Sequence, residues 1–305
     1  MSSHFDYLIL DGKLVPFEDA RLHILTPAVK YGATVFEGLR AYWSEEDQQL
    51  YVFRCREHMS RLLASARLMG MRGVEYTIDD LLQILRQLLQ ANHVRQDVHI
   101  RPSLFVVGEG QVPAREPVSL GMVVLRMERW ADKSYRLAIS SWHRIEDNSI
   151  PPRIKCAANY QNGRLALIQA IEDGYDGVLM LDSQGHVTEE PRACFFMVRN
   201  GVPITTPITS DILESITRDS LIQLFQEQHG LTVQQRLVDR TELYVAEEVF
   251  LCGTAMEVTP VKSVDYFTVG DGTMGPITHM IRDTYMAVSR GNLGAFREWR
   301  TPIYV

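Results

Sequence analysis

Apolar residues recur along the chain at two spacings, one typical of strands and one typical of helices. The sequence opens with strand-length apolar runs: residues 7–10 lead into the tight-turn pair Asp11-Gly12 and return through residues 13–15. Residues 39–43 and 49–53 predict a second hairpin around an acidic turn. The first elements of the fold are therefore expected to be antiparallel strands.

Helical spacing follows. Residues 56–69 carry apolar side chains every three or four positions. Thr77, with Asp80 three residues later, forms a capping-box pattern that predicts the start of a second amphipathic helix. Strands are predicted over residues 98–107, 121–127 and 137–142.

The second half mixes the same two patterns. Its helices are predicted from the Lys155 segment to Glu172, over 215–228, over 239–247 and over 277–289. Its strands are predicted at 178–181 with 186–189, 195–198 with 202–205, and 249–252. The order predicts an α+β fold with two domains, residues 1–127 and 135–305, joined by a polar linker at 128–134.

Composition narrows the class of protein. The 305 residues carry 31 Lys and Arg against 38 Asp and Glu, a net charge of −7, with no basic run that would bind nucleic acid or a membrane surface. The four cysteines are scattered, the nine histidines lack metal-ligand spacing, and the N-terminus resembles no signal peptide. We expect a cytoplasmic protein with reduced thiols, no metal site and no membrane-spanning helix.

One lysine stands out. Lys155 lies between a proline pair and a run of small residues that opens a helix, and Tyr160 follows five positions later. Downstream, the acidic pair Glu189-Glu190 ends a predicted strand. Lysine, tyrosine and carboxylate are the groups that bind and tune a carbonyl cofactor as a Schiff base. A solvated surface lysine is the alternative, and strand alternation leaves open which glutamate points inward.

The motifs around these residues resemble one family. Residues 30–40 read KYGATVFEGLR, which is similar to the YGxxVFEGxR signature of branched-chain amino-acid transaminases, the fold-type IV enzymes that depend on pyridoxal phosphate. The resemblance continues, in the same order, through residues 56–62, 100–102, 155–160, 216–219 and 253–261. It implies a smaller N-terminal α/β domain, a larger C-terminal domain with a β-barrel-like core, and a homodimer or higher homo-oligomer.

The resemblance also implies roles for the cofactor site. Lys155 matches the lysine that forms the aldimine and moves the proton, Tyr160 the tyrosine at the ring hydroxyl, and Glu189 the carboxylate at the pyridine nitrogen. Glu190 is then expected to be its surface neighbour. The residues that match the family's phosphate site are Arg61, Ile216, Thr217 and Thr254. By residue type alone, Arg61 is better explained as a helix-surface arginine than as a phosphate ligand, and capping alone would also explain Thr217.

Substrate residues follow by the same resemblance. Tyr31 and Phe36 match residues that line the side-chain pocket, and Arg101 matches the arginine that meets the distal carboxylate of glutamate. Thr254 and Ala255 match the turn whose N–H groups meet the substrate α-carboxylate.

Departures from the family pattern concentrate after Glu189. Residues 190–194 read EPRAC where the family usually has Gly-Ala-Gly-Glu-Asn, so the asparagine amide and the glycines are lost. His99 replaces a common tyrosine, and Gln111 stands where apolar residues are usual. Arg192 is therefore predicted as a substrate-binding residue for a donor more polar than leucine.

The implied function is an aminotransferase that moves the amino group between an L-amino acid and 2-oxoglutarate, with small-molecule partners only. Three alternatives share the fold: a lyase of the aminodeoxychorismate type, a D-amino-acid or R-amine transaminase, and a cofactor-binding protein without catalysis. The intact blocks at residues 35–38 and 253–257 favour the branched-chain group.

Overall fold

The computed structural model describes residues 4–126 and 133–304, which form two compact units. Unit 1 contains residues 4–126, 154–158 and 287–304, and unit 2 contains residues 133–153 and 159–286. The structure thus differs from the predicted domains at 154–158 and 287–304, which we expected in the second domain. Residues 128–132 of the predicted linker lie outside the described residues.

The strands of unit 1 form one antiparallel sheet. Along the sheet their order is β16-β5-β4-β6-β7-β1-β2, and β3 also pairs with β6, where the strands are β1 (Tyr7–Leu10), β2 (Lys13–Pro16), β3 (Thr34–Phe36), β4 (Leu39–Ser44), β5 (Gln49–Phe53), β6 (Val98–Val106), β7 (Val118–Arg126) and β16 (Arg300–Pro302). The predicted turn between β1 and β2 is confirmed, with both Asp11 and Gly12 at positive φ (51° and 71°).

Three helices belong to unit 1: α1 (Pro27–Tyr31), α2 (Cys55–Leu68) and α3 (Ile78–Ala91). The capping box predicted at Thr77 and Asp80 is present at the start of α3. The apolar faces of α2 and α3 pack on the sheet in one buried core, which includes Met59, Leu62 and Leu85.

The segment 154–158 joins this unit through its backbone. Cys156 forms a bridge with Val35, the Ala157 N–H donates to the Thr34 carbonyl (2.9 Å), and the Phe36 N–H donates to the Lys155 carbonyl (3.0 Å). Lys155 is therefore held beside β3 as if on an additional short strand.

Unit 2 is built on a mixed sheet. Its order is β12-β11-β10-β13-β14-β8-β9, with β15 paired to β14, where the strands are β8 (Tyr135–His143), β9 (Gly177–Leu181), β10 (Cys194–Arg199), β11 (Val202–Thr205), β12 (Gln234–Gln235), β13 (Glu248–Gly253), β14 (Glu257–Val264) and β15 (Phe267–Thr268). Its helices are α4 (Tyr160–Glu172), α5 (Ile216–His229) and α6 (Pro276–Arg290), whose last residues fall in unit 1. The α+β class is confirmed.

Two predicted elements of unit 2 take another form. Residues 186–189 return antiparallel along β9, as predicted, but form isolated bridges rather than a regular strand. The Met180 N–H donates to the Glu189 carbonyl (3.0 Å), the Thr188 N–H donates to the Met180 carbonyl (2.9 Å), and a bridge joins Leu181 to Val187. The same strand β9 also pairs in parallel with β8. Residues 239–247 were predicted as a short helix, and the structure has a 3-10 helix at Arg240–Val245. Within the described ranges, no helix is long and apolar enough to cross a membrane.

Candidate active site

Lys155 is half-buried in unit 1, on the segment that pairs with β3. Its N–H donates to the Ser65 hydroxyl of α2 (3.1 Å), and its carbonyl accepts from Phe36. Both ends of its peptide unit are therefore fixed by neighbouring elements, which restricts where the Nζ atom can lie.

Phe36 connects Lys155 to Arg101. The Lys155 Nζ lies 5.2 Å from the centre of the Phe36 ring, and the Arg101 Cζ lies 4.0 Å from it. Pairing of β3 with β6 sets this arrangement, since Phe36 stands opposite Ser103, two residues beyond Arg101. Unit 1 thus brings three of the predicted site residues together around one buried aromatic ring.

Arg61 is held by a buried carboxylate. Its Nε and Nη2 donate to the two oxygens of Glu37 (2.5 and 2.9 Å), and the same carboxylate lies 2.8 Å from Nδ1 of His58. Glu37 is fully buried and follows Phe36 directly. His58 and Arg61 lie one helical turn apart on α2, so they reach the same carboxylate.

Burial and charge act in opposite directions on this cluster. Burial would raise the pKa of Glu37, but Arg61 and His58 together hold it well below the usual range of a carboxyl group. Burial lowers the pKa of His58 despite the Glu37 carboxylate beside it. The cluster is therefore an ionised Glu37–Arg61 pair with a neutral imidazole.

His99, the residue that replaces a family tyrosine, lies on β6 opposite Arg40. A Cβ at Gly38 would stand 2.8 Å from its Cε1 atom, so the imidazole needs a glycine there. Burial, followed by the charges of Arg40, Arg101 and Lys155, lowers the pKa of His99 to about 3. Its Nδ1 is buried and has no hydrogen-bond partner within the described part of the chain.

In unit 2, Glu189 is buried and ion-paired. Its Oε1 accepts from Nη2 of Arg144 (2.7 Å) and from the N–H of Leu213 (3.1 Å). Its Oε2 lies 3.7 Å from Sγ of Cys194. The Glu189 predicted to meet a ring nitrogen therefore already has a guanidinium partner.

The predicted surface position of Glu190 is wrong, because its side chain is completely buried. Both of its oxygens accept from Arg192: the backbone N–H binds Oε2 (2.6 Å), and Nε and Nη2 bind Oε1 (2.9 and 2.6 Å). Residues 190–193 form a tight turn rather than a continuing strand, so both glutamates point into protein. The substrate role of Arg192 stays a prediction, and the structure gives its guanidinium an internal partner.

The remaining predicted residues of unit 2 lie at element ends. Tyr160 is the first residue of α4. Ile216 and Thr217 begin α5, whose cap is Ser215: its hydroxyl accepts from the Arg218 N–H (3.2 Å). Thr254 and Ala255 form the turn between β13 and β14. Tyr31, in unit 1, is exposed at the end of α1.

The chain belongs to the class IV aminotransferase family, whose pattern it matches over residues 34–264. It is similar to the probable branched-chain-amino-acid aminotransferase of Aquifex aeolicus, with 39% identity over 99% of this chain and 98% of that protein. The branched-chain-amino-acid aminotransferase of Salmonella typhimurium is 35% identical over 98% of this chain and 97% of that protein. The crystal structure of the branched-chain amino acid aminotransferase from Thermobaculum terrenum in its PLP form superposes with a TM-score of 0.94 at 39% identity, with all of both chains covered. The predicted family and the predicted fold type IV are confirmed.

Sequence reasoning missed two parts of the site. Glu37 was quoted only as part of a signature, although a carboxylate between apolar residues, with His58 and Arg61 at helical spacing, is a signal for a buried ion pair. Arg144 gave no such signal, because its partner Glu189 lies 45 positions away and the pairing depends on the fold.

Proposed function

We propose that the chain is a pyridoxal-phosphate-dependent aminotransferase. It moves the amino group between an L-amino acid, branched-chain or a more polar relative, and 2-oxoglutarate. The named relatives support this reaction, and one observation in the structure carries it: Lys155 and Arg101 lie on the same Phe36 ring. That arrangement supports the assignment of Lys155 as the reacting amine and of Arg101 as the cation for a substrate carboxylate.

The residue types present in each unit fit pyridoxal phosphate. In unit 1, Arg61, oriented by Glu37, is a cation suited to a phosphate. In unit 2, the backbone N–H groups of Ile216 and Thr217 at a helix start are groups that hold a phosphate, and the Thr254 hydroxyl is a further donor. Tyr160 and Glu189 would hold the ring hydroxyl and the ring nitrogen. When bound, the cofactor supplies a reactive carbonyl group and a ring that withdraws electrons.

Lys155 is the residue that binds the cofactor carbonyl and moves the proton. Its backbone is fixed by Ser65 and Phe36, so its amine is presented from a rigid segment. Phe36 covers that amine from one side and limits the access of water on that side.

Different residues are assigned to the charged and the apolar groups of the substrate. Arg101 binds a distal carboxylate, and the backbone N–H groups of Thr254 and Ala255 bind the α-carboxylate. Phe36 and Tyr31 contact the side chain of the donor. Arg192, whose guanidinium binds Glu190, is proposed as a further polar contact for the side chain of the donor.

A donor screen tests the reaction. Purified protein with pyridoxal phosphate and 2-oxoglutarate should convert L-leucine, L-valine or a polar L-amino acid to its 2-oxo acid, with glutamate formed in equal amount. Lys155→Ala should abolish turnover, since binding of the cofactor carbonyl and proton transfer use the same amine. Release of pyruvate from aminodeoxychorismate, the reaction of the alternative lyase, would contradict the proposal. Turnover of D-amino acids alone would also contradict it.

Arg101→Ala tests the specificity. A charge-assisted bond to a desolvated carboxylate contributes about 1.5–3 kcal/mol, so kcat/KM for 2-oxoglutarate should fall roughly ten- to hundredfold. Leucine turnover, measured as a half-reaction without 2-oxoglutarate, should change little. Arg126→Ala is the matched control, because Arg126 also lies over a phenylalanine ring (Phe5, 4.1 Å) in the same sheet. Equal losses for both substrates in Arg101→Ala would make Arg101 a structural residue.

We also propose a cytoplasmic homodimer. Ile24, Leu25 and Val29 expose large apolar side chains on unit 1, and such a patch is typical of a surface that a second copy covers. Sedimentation equilibrium should give twice the mass of the chain, and Ile24→Glu with Leu25→Glu should shift it toward the monomer. A wild-type protein that sediments as a monomer would contradict the assembly.

A further inference from the structure

The ion pair between Arg144 and Glu189 is buried on both sides. The side chains are 7% and 5% exposed, and Nη2 of Arg144 lies 2.7 Å from Oε1 of Glu189. Arg144 follows β8 directly, whereas Glu189 lies on the segment beyond β9, so pairing of these two strands brings them together. A buried carboxylate is stable in its charged form only with such a partner.

Two buried thiols, Cys194 and Cys252, lie near this pair and carry no charge. Burial, with Glu189 as the next cause, raises the pKa of the Cys194 thiol well above its usual value, and burial raises the pKa of Cys252 to about 12. Both thiols are therefore neutral at physiological pH. Arg218, the nearby second cation, donates to the Thr206 carbonyl and to Gln235 (both 2.8 Å). Arg144 is a cation in direct hydrogen-bond contact with Glu189.

The charge state of Glu189 would determine whether a ring nitrogen bound to it keeps its proton. In a site of low dielectric constant, a carboxylate and a protonated pyridine are two charges that become neutral if the proton moves to the carboxylate. A guanidinium bound to that carboxylate stabilises its charged form. A ring nitrogen held by that carboxylate would lie closer to the carboxylate than to the guanidinium behind it, so repulsion between the guanidinium and the ring proton would be the weaker effect.

We propose that Arg144 is a positioning residue that keeps Glu189 ionised and thereby keeps the proton on the ring nitrogen of the cofactor. The inference rests on the proposed function, because it needs pyridoxal phosphate at Glu189. It assigns to Arg144 the task of maintaining the ring as an electron acceptor.

The test is the protonation state of the ring nitrogen, measured by 15N NMR with pyridoxal phosphate labelled at that atom. Wild-type holoenzyme should show a protonated nitrogen. Arg144→Gln should shift the resonance toward that of neutral pyridine and lower kcat roughly ten- to hundredfold, the effect expected for loss of one charge-assisted bond. Arg144→Lys keeps the charge and should keep the nitrogen protonated.

Arg153→Gln is the matched control. Arg153 is a half-exposed arginine nine positions away that pairs with Asp147 and Glu214, so its loss should leave the resonance and kcat unchanged. A protonated nitrogen in Arg144→Gln would overturn the inference. If Arg144→Gln fails to fold, a neutral nitrogen in Arg144→Lys would overturn it. Failure of the wild-type protein to bind the cofactor or to turn over any amino acid would instead contradict the proposed function.

Discussion

Glu37 is a charged residue that the fold has removed entirely from water. Its carboxylate is bound by Arg61 and His58 on α2, and loss of one partner of a buried pair leaves the other charge uncompensated. Glu37→Gln should lower the free energy of unfolding by about 3–5 kcal/mol. Urea denaturation of the apoprotein measures this.

Asp79→Asn is the control for Glu37→Gln. Asp79 pairs with Arg56 (2.8 Å) and the two side chains are 78% and 58% exposed, so its loss should cost less than about 1 kcal/mol. Glu37→Gln should also weaken binding of pyridoxal phosphate more than binding of pyridoxal. The reason is that the substitution releases Arg61, the arginine assigned to the phosphate. Similar stability losses in both variants would contradict the buried pair.

His99 makes the stability of unit 1 depend on pH. Its pKa is about 3 in the folded protein, whereas the ordinary value for histidine is 6.5. The unfolded chain therefore takes up the proton first as the pH falls. The contribution of His99 to the free energy of unfolding is fully present above pH 6.5. As the pH falls from 6.5 to 3, this contribution is lost at about 1.4 kcal/mol per pH unit. Denaturation from pH 7 to 4 should show a shallower slope in His99→Gln.

An unchanged slope in His99→Gln would mean that the imidazole is not held neutral.

Residues in continuous motifs were predictable from the sequence, and residues defined by the fold were not. Lys155, Phe36 and Arg101 are predictable because each lies in a recognisable sequence motif. In the structure, Lys155 and Arg101 both lie over the Phe36 ring. Glu190 was misplaced because alternation along a strand puts neighbours on opposite faces, whereas the chain turns at residues 190–193. Arg144 could not be found because nothing in its local sequence indicates a buried carboxylate.

At the scale of elements, the start of α5 is the part of the cofactor site that depends on helix geometry. Ser215 caps the helix, and its N-terminal N–H groups are assigned to the phosphate. Ser215→Ala should cost about 1 kcal/mol of stability and also weaken binding of pyridoxal phosphate. Equilibrium dialysis at several cofactor concentrations measures the second effect.

Thr77→Ala provides the matched cap, since Thr77 caps α3 and belongs to no assigned site. It should cost a similar stability and leave cofactor affinity unchanged. Equal cofactor affinity in Ser215→Ala and Thr77→Ala would show that the start of α5 does not bind the phosphate.

Elements with local signals were predicted well. The bounds of α2 and α5 agree with their periodicity to within about one residue, and α3 begins at the predicted cap Thr77. Gly230 ends α5 at positive φ (63°). Strands made by distant pairing were missed or misassigned. β16 pairs with β5 across the length of the chain, and β14 pairs in parallel with β8, and neither pairing leaves a pattern in the strand itself.

At the scale of the whole molecule, the chain order does not follow the compact units. Residues 154–158 belong to unit 1 although unit 2 residues precede and follow them, and residues 287–304 return to unit 1. A boundary predicted from composition cannot show this, because each segment joins unit 1 through backbone bonds to strands far along the chain. Lys155 thus lies in unit 1 while Tyr160, five positions later, begins a helix of unit 2.

The central claim is that Lys155 carries the cofactor, and chemical labelling tests it most directly. The protein is incubated with pyridoxal phosphate, reduced with borohydride to fix the cofactor to the amine that holds it, digested, and mapped by mass spectrometry. The account predicts one dominant label on Lys155, absent from Lys155→Ala. A dominant label on Lys133 or Lys262, or labelling that persists unchanged in Lys155→Ala, would contradict it.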